Sequence, residues 1–129
     1  MRWVWSTRSL MVYPAGVPKA IGVGSTTMTD TRSAFSNYGD DVRLAAPGEA
    51  LITTYPGNNY AGVWGTSFST ALVSGAAALL SQMRAKGWQG SLMDAFEHGQ
   101  RLHIDGMGDA RLDVYASAMY YLTAHSPGD

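Results

Sequence analysis

The chain has 129 residues and a formal charge of −1, with 46% hydrophobic and 15% charged residues. That length allows one small domain with its own core, and so apolar a composition excludes a disordered chain. A nearly neutral charge removes the electrostatic case for nucleic acid, and the lack of cysteine removes disulfides, thiolate nucleophiles and cysteine-based zinc sites.

The opening "MRWVWSTRSLMVYPAG" holds two arginines and several bulky residues, but its apolar stretches are too short for a signal peptide. No compartment can be read from it. No run approaches the ~20 apolar residues of a membrane span. Residues 17–26, "VPKAIGVGST", are β-branched and bounded by proline and a polar cluster, which predicts a buried strand. "TMTDTRSAFSNYGDD" follows as a polar loop. Residues 42–48, "VRLAAPG", predict a second strand that stops at Pro47, and "EALITTYPGNNYAGVWG" has two β-rich halves around Pro56–Asn59, the pattern of a hairpin.

From Thr66 the period becomes helical. Phe68, Leu72, Val73, Ala76, Leu79, Leu80 and Met83 recur at helical spacing, with Gly87 as the expected stop. Ala71, Gly75, Ala76, Ala77 and Ala78 leave little bulk, as in a helix wrapped by close neighbours. Ser91 is the expected N-cap of a short helix ending near Gly99. "RLDVYASAMYYLTAH" predicts a last helix with Leu112, Tyr115, Ala116, Met119 and Leu122 on its buried side. There is no internal repeat and no linker, and the tail "HSPGD" is expected to fray.

The stretch richest in chemistry is "GTSFSTALVSGAAALL", residues 65–80. A serine just before a helix can simply cap it, accepting a hydrogen bond from an early backbone N–H. The same place also suits a nucleophile, because free N–H groups and the positive dipole end at a helix start can stabilise an oxyanion. Local geometry admits both.

The stretch resembles the nucleophile helix of subtilisin-like serine peptidases, and the resemblance runs in order from Tyr13 to about Ala118. "YPAGVPKAIGVGST" is similar to that family's Tyr-Pro turn and following core strand. "SAFSNYGDDVRLAAPG" is similar to its Phe-Ser loop and Ala-Pro-Gly strand end. "TYPGNNYAGVWGTS" resembles the hairpin that leads into the nucleophile, and "GMGDARLDVYASA" the entry to the closing helix.

The resemblance implies an α/β fold: a partial subtilisin-like domain of short, mostly parallel strands, with a hairpin packed on a central nucleophile helix and two C-terminal helices. It divides the chain into an unmatched segment 1–12, a truncated catalytic domain 13–124 and a tail 125–129. It implies Ser67 as nucleophile, its own N–H as half of the oxyanion hole, and Thr66 as a support for that hole. Gly65 and Trp64 fall at the substrate groove. Tyr13–Pro14 falls where the family commonly has a cis proline.

Three positions depart from the pattern. Ala71 and Leu72 stand where the family commonly has Pro-His, and Trp64 stands where a small polar residue is common. The family's Asp-Thr/Ser-Gly, His-Gly-Thr and Ala-Gly-Asn motifs, which carry the catalytic Asp, the His and the second oxyanion donor, are all absent, as expected of a chain that starts after them. A serine without a base is a poor nucleophile, so a recruited base or a complementing chain is implied. Among His98, His103 and His125, the pair His103 and Asp105 is the least remote candidate for base and orienter. No histidines share metal-ligand spacing on one helix face, so no metal or cofactor is expected. Asp40–Asp41 reads as turn chemistry, and Asp109 and Asp113 as carboxylates flanking a helix start.

A parallel sheet cut through its middle leaves an open strand edge. Three ways of covering it are open: the segment 1–12 folding back, a second copy of the chain, or an N-terminal subtilase segment. The expected partners are therefore a peptide or ester substrate together with a homo-oligomer or such a complementing segment, and neither nucleic acid nor membrane. The competing reading is a non-catalytic remnant serving as a folding or binding module.

Overall fold

The computed structural model describes residues 13–83 and 90–123. The segment 1–12, Gly87, His125 and the tail 125–129 lie outside the described residues. The first strand, β1 (Gly22–Thr26), is shorter than the predicted 17–26, because residues 13–19 are taken up by turns. Val17 N–H donates to Pro14 O and Ala20 N–H to Val17 O. Tyr13–Pro14 is cis, as the resemblance implies.

β2 (Val42–Pro47) pairs in parallel with β1. Its central residues alternate between two buried faces. Leu44 and Ala46 belong to the main core, while Ala45 packs on the opposite side with Leu102 and Met107. A strand buried on both faces reads as an unbroken apolar run, and "LAAP" is one. β3 (Leu51–Tyr55) and β4 (Asn59–Val63) form the expected antiparallel hairpin, turning through Gly57 and Asn58, both at positive φ.

α1 (Thr66–Met83) packs on β1 and β2. α2 (Leu92–Glu97) follows, with Ser91 as the expected N-cap: Asp94 N–H donates to Ser91 Oγ at 3.1 Å, and Ser91 N–H donates to Asp94 Oδ2 at 2.6 Å. The two-residue strands β5 (Gln100–Arg101) and β6 (Ala110–Arg111) pair antiparallel, and β6 adds to β2 in parallel. α3 (Val114–Thr123) closes the described chain, its first turn capped by Asp113 Oδ1, which accepts from Ala116 N–H at 2.9 Å. The sheet order is β1-β2-β6-β5, so among the described residues β1 is an edge strand.

Two packing expectations are corrected. α1 is not wrapped on all sides: Ser69, Val73, Ala76 and Leu80 are buried, whereas Leu72 and Leu79 are exposed beside Ala71, Gly75 and Ala78. Apolar and small residues run almost all the way round this helix, so their period alone cannot select the buried side. In α3 the buried residues are Ser117 and Tyr121, with Ala118 and Tyr120 against the core, while Tyr115, Met119 and Leu122 face solvent. Tyr120 is held by α2, where the His98 ring stacks on it at 3.6 Å. That contact rotates the predicted side outward.

The junction between β2 and α1 is closely packed. Gly65 N–H donates to Gly48 O at 2.8 Å, Gly48 N–H donates to Thr26 O at 3.1 Å, and Ser69 Oγ donates to Pro47 O at 3.0 Å. A Cβ on Gly48 would collide with Ser25 Oγ, Ser69 Oγ and Gly65 O. Gly48→Ala is therefore expected to destabilise the fold by about 1–3 kcal/mol, as overpacking of a closed site does. Ser69→Ala, which leaves the half-buried Pro47 carbonyl without this donor, is expected to cost about 1–3 kcal/mol. Urea denaturation of the two variants measures both; wild-type stability of Gly48→Ala would show that the junction yields easily.

Candidate active site around Ser67

The site is built where the hairpin meets α1. Gly65 has φ 149°, a conformation that disfavours a side chain, and it turns the chain from β4 into the helix. Its carbonyl accepts from Phe68 N–H at 3.1 Å and Ser69 N–H at 3.4 Å, so it opens the helix in the place of an N-cap. Ser67 is the second helical residue, one position inside the cap reading considered for it. Its side chain is exposed and, among the described residues, makes no hydrogen bond. Its backbone N–H belongs to the first helical donors, which have no partner within the helix. Thr66 is half-buried, and its carbonyl accepts from Thr70 Oγ1 at 2.9 Å.

Thr66, Ser67 and Thr70 line one wall of a cavity of 490 Å³. The facing walls come from the Tyr-Pro turn and the start of β1, and from Asn37, Tyr38 and Asp41. Those three residues were passed over in the sequence as parts of a polar loop and an acidic turn. The available signal was the length of the loop, since a long polar segment in a compact domain is often functional.

The loop holds its shape through buried hydroxyls. Ser25 Oγ and Ser33 Oγ lie 2.8 Å apart, Ser25 N–H donates to Ser36 Oγ at 2.9 Å, and Ser33 N–H donates to Ser25 O at 2.9 Å. Arg32 Nη1 donates to Ser36 O at 2.6 Å, and its guanidinium lies 4.8 Å from the centre of the Tyr38 ring. Further out, Arg111 Nε pairs with Asp30 Oδ1 at 3.1 Å, tying the loop to β6. The loop residues that face Ser67 are thus fixed from behind.

The structure does not bring the candidate base to this cavity. His103 and Asp105 line a separate pocket with Leu102, Ile104, Gly106, Gly108 and Asp109. His98 caps α2, where its Nδ1 lies 2.7 Å from Asp94 O and its ring covers Tyr120. Among the described residues no histidine lines the Ser67 cavity, and none of them cluster in a way that would hold a metal ion. Trp64 stands at the rim, exposed, directly before Gly65.

The chain is similar to known proteins over most of its length. The family model described as the subtilase family matches residues 6–107. Thermitase of Thermoactinomyces vulgaris is 38% identical over 112 residues, which are 84% of this chain and 39% of that protein. Subtilisin BL of Lederbergia lenta is 44% identical over 77 residues, 60% of this chain and 29% of the relative. Among solved structures, the prenylagaramide maturation protease PagA superposes with a TM-score of 0.69 at 26% identity, covering 84% of this chain and 45% of that one. The chain thus spans less than half the length of each of these proteins.

Because His103 faces another pocket, His103→Ala is expected to leave the rate at which a fluorophosphonate labels Ser67 unchanged. Mass spectrometry of the labelled peptide measures this, and a large loss of rate in that variant would place His103 at the site after all.

Proposed function

This chain belongs to the subtilase family, and from that premise we propose that Ser67 is the nucleophile of a serine hydrolase acting on peptides. The supporting observation is the state of the Ser67 hydroxyl: exposed, without a hydrogen-bond partner among the described residues, and on the wall of a cavity at the start of α1. A capping serine would have its oxygen engaged by an amide of its own first turn. Ser67 attacks the scissile carbonyl, and its own N–H donates to the oxyanion that forms. Thr66 supports that donor, and Gly65 allows the substrate backbone to approach.

The proton acceptor, its orienting carboxylate and the second oxyanion donor come from an N-terminal subtilase segment, on the same polypeptide or another. Two features favour that source over a second copy of the chain. Among the described residues β1 is an edge strand whose first residues line the cavity, and the matched relatives extend well beyond the part this chain covers. Without such a segment, activated esters are the easiest substrates, because a better leaving group demands less of the nucleophile.

The rival reading, a non-catalytic scaffold that binds without cleaving, is favoured by the lack of a histidine in the cavity among the described residues. Fluorophosphonate labelling separates the two. The chain combined with an N-terminal subtilase segment bearing the Asp and His motifs is expected to label at Ser67 and to hydrolyse a chromogenic peptide. Ser67→Ala is expected to abolish labelling and lower kcat by several orders of magnitude, up to about 10⁶ for a complete triad. No labelling at micromolar protein in the presence of that segment would leave the binding module standing.

A further inference from the structure

We propose that the β5–β6 hairpin is a two-point clamp on the cavity wall that faces Ser67, with Asp30, Gln100 and Arg111 as positioning residues. Their role at the site rests on the reading of Ser67 as nucleophile, whereas the clamp itself is a property of the fold.

The first hold is a closed ring of three side chains. Arg111 Nε stands 3.1 Å from Asp30 Oδ1, Gln100 Nε2 donates to Asp30 Oδ2 at 2.9 Å, and Arg111 Nη2 donates to Gln100 Oε1 at 2.8 Å. Gln100 and Arg111 are direct cross-strand partners, so the register of this short hairpin puts their side chains on one face. Each carboxylate oxygen has its own partner, and each side chain is oriented by the other two. Asp30 enters the ring at φ 57°, in the left-handed region where Asp is one of the few side-chain-bearing residues readily found.

The second hold lies at the far end of the same hairpin. Gly39 N–H donates to Gly106 O at 2.8 Å, and a Cβ on Gly106 would come within 2.7 Å of Gly39 N. Residues 30 and 39 are therefore both pinned to one hairpin, which begins 70 residues beyond Asp30. Between these anchors the chain carries Asn37 and Tyr38 to the cavity. Arg32 transmits the first hold to that wall. It follows the anchored turn, donates from Nη1 to Ser36 O at 2.6 Å, and lies over the Tyr38 ring.

The ring is built to position the loop, and it adds little to global stability. The side chains of Arg111 and Asp30 keep 23% and 30% of their surface in solvent, and ion pairs that wet contribute little to the whole fold. The buried hydroxyls of Ser25, Ser33 and Ser36 already secure the middle of the loop from inside. What the ring fixes is the outer turn and, through Arg32, the place of Tyr38. Breaking it opens that segment locally while the core stays closed.

The test begins with amide hydrogen exchange, followed by NMR on the full-length chain. Arg111→Met keeps the apolar stem and removes the fork, and Asp30→Asn keeps the tolerance for positive φ and removes the charge. Each is expected to speed exchange at the Thr27, Ser36 and Gly39 amides by roughly threefold to fivefold, the scale of one partly exposed ion pair. Amides in the central turns of α1 are expected to keep their rates. The double variant is expected to match the single ones, because both break the same ring. Unchanged exchange in the loop, or an equal increase in α1, overturns the clamp. The second readout is fluorophosphonate labelling of the chain combined with an N-terminal subtilase segment. Arg111→Met is expected to raise the half-saturating probe concentration by a similar factor and to leave the maximal rate within about twofold, since the wall moves and the hydroxyl does not. Arg111→Lys, which keeps the charge without the fork, is expected to restore only part of the difference. An unchanged half-saturation, or a loss confined to the maximal rate, overturns the role at the site. Absence of labelling in the wild-type complex sinks the nucleophile instead, and the exchange rates then decide the clamp alone.

Discussion

The molecule depends on how closely two glycines allow the end of a strand to approach the start of a helix. Gly48 closes β2 and Gly65 opens α1, and the backbone hydrogen bond between them leaves no room for a side chain at position 48. Ser69, one turn into the helix, donates to the half-buried Pro47 carbonyl at the strand end. These contacts fix the position of the first turn of α1 and its rotation about the helix axis. With the rotation fixed, Ser69 points into the protein and Ser67 points away from it. The exposed hydroxyl is thus a consequence of a buried one two residues along.

The same junction explains why small polar residues fill the interior nearby. Ser25, Thr26, Ser33, Ser36 and Ser69 are all buried around the end of the parallel pair, where larger side chains would force the strands and the loop apart. Most of the hydroxyls are paired with one another or with backbone, so the cluster is tied together by hydrogen bonds instead of apolar volume. From it the loop 27–41 carries Asn37, Tyr38 and Asp41 to the cavity wall opposite Ser67. Arg32, stacked on Tyr38 and bonded to the Ser36 carbonyl, braces that wall.

Much of this was legible from local chemistry. Pro47–Gly48 marked the end of β2, the Pro56–Asn59 cluster marked the hairpin turn, and Ser91 with Asp94 formed the cap expected of Ser91. The boundary of β1 was misplaced, since a β-branched residue such as Val17 sits as readily in a proline-rich turn as in a strand. The orientations of α1 and α3 were not legible for a different reason. Both helices carry apolar residues on opposite sides, and their rotation was decided by contacts distant in sequence: Ser69 with Pro47, and Tyr120 with His98. The cavity wall formed by residues 37–41 was illegible on the same ground. Nothing in a polar loop announces which of its side chains a buried serine network will turn toward the helix.

The unequal sides of α1 account for the composition of the chain. A helix that buries only Ser69, Val73, Ala76 and Leu80 would ordinarily carry charges on the rest of its surface, yet α1 carries none. Leu72 and Leu79 are instead exposed beside alanine and glycine, and among the described residues β1 is an edge strand. An uncharged helix side and an unpaired parallel strand both call for covering structure. In the proposed enzyme one addition would meet both needs. A subtilase segment extending the sheet beyond β1 would also bring its histidine toward the cavity that Ser67 lines. On that reading the apolar side of α1 and the missing proton acceptor are two aspects of one unfilled position.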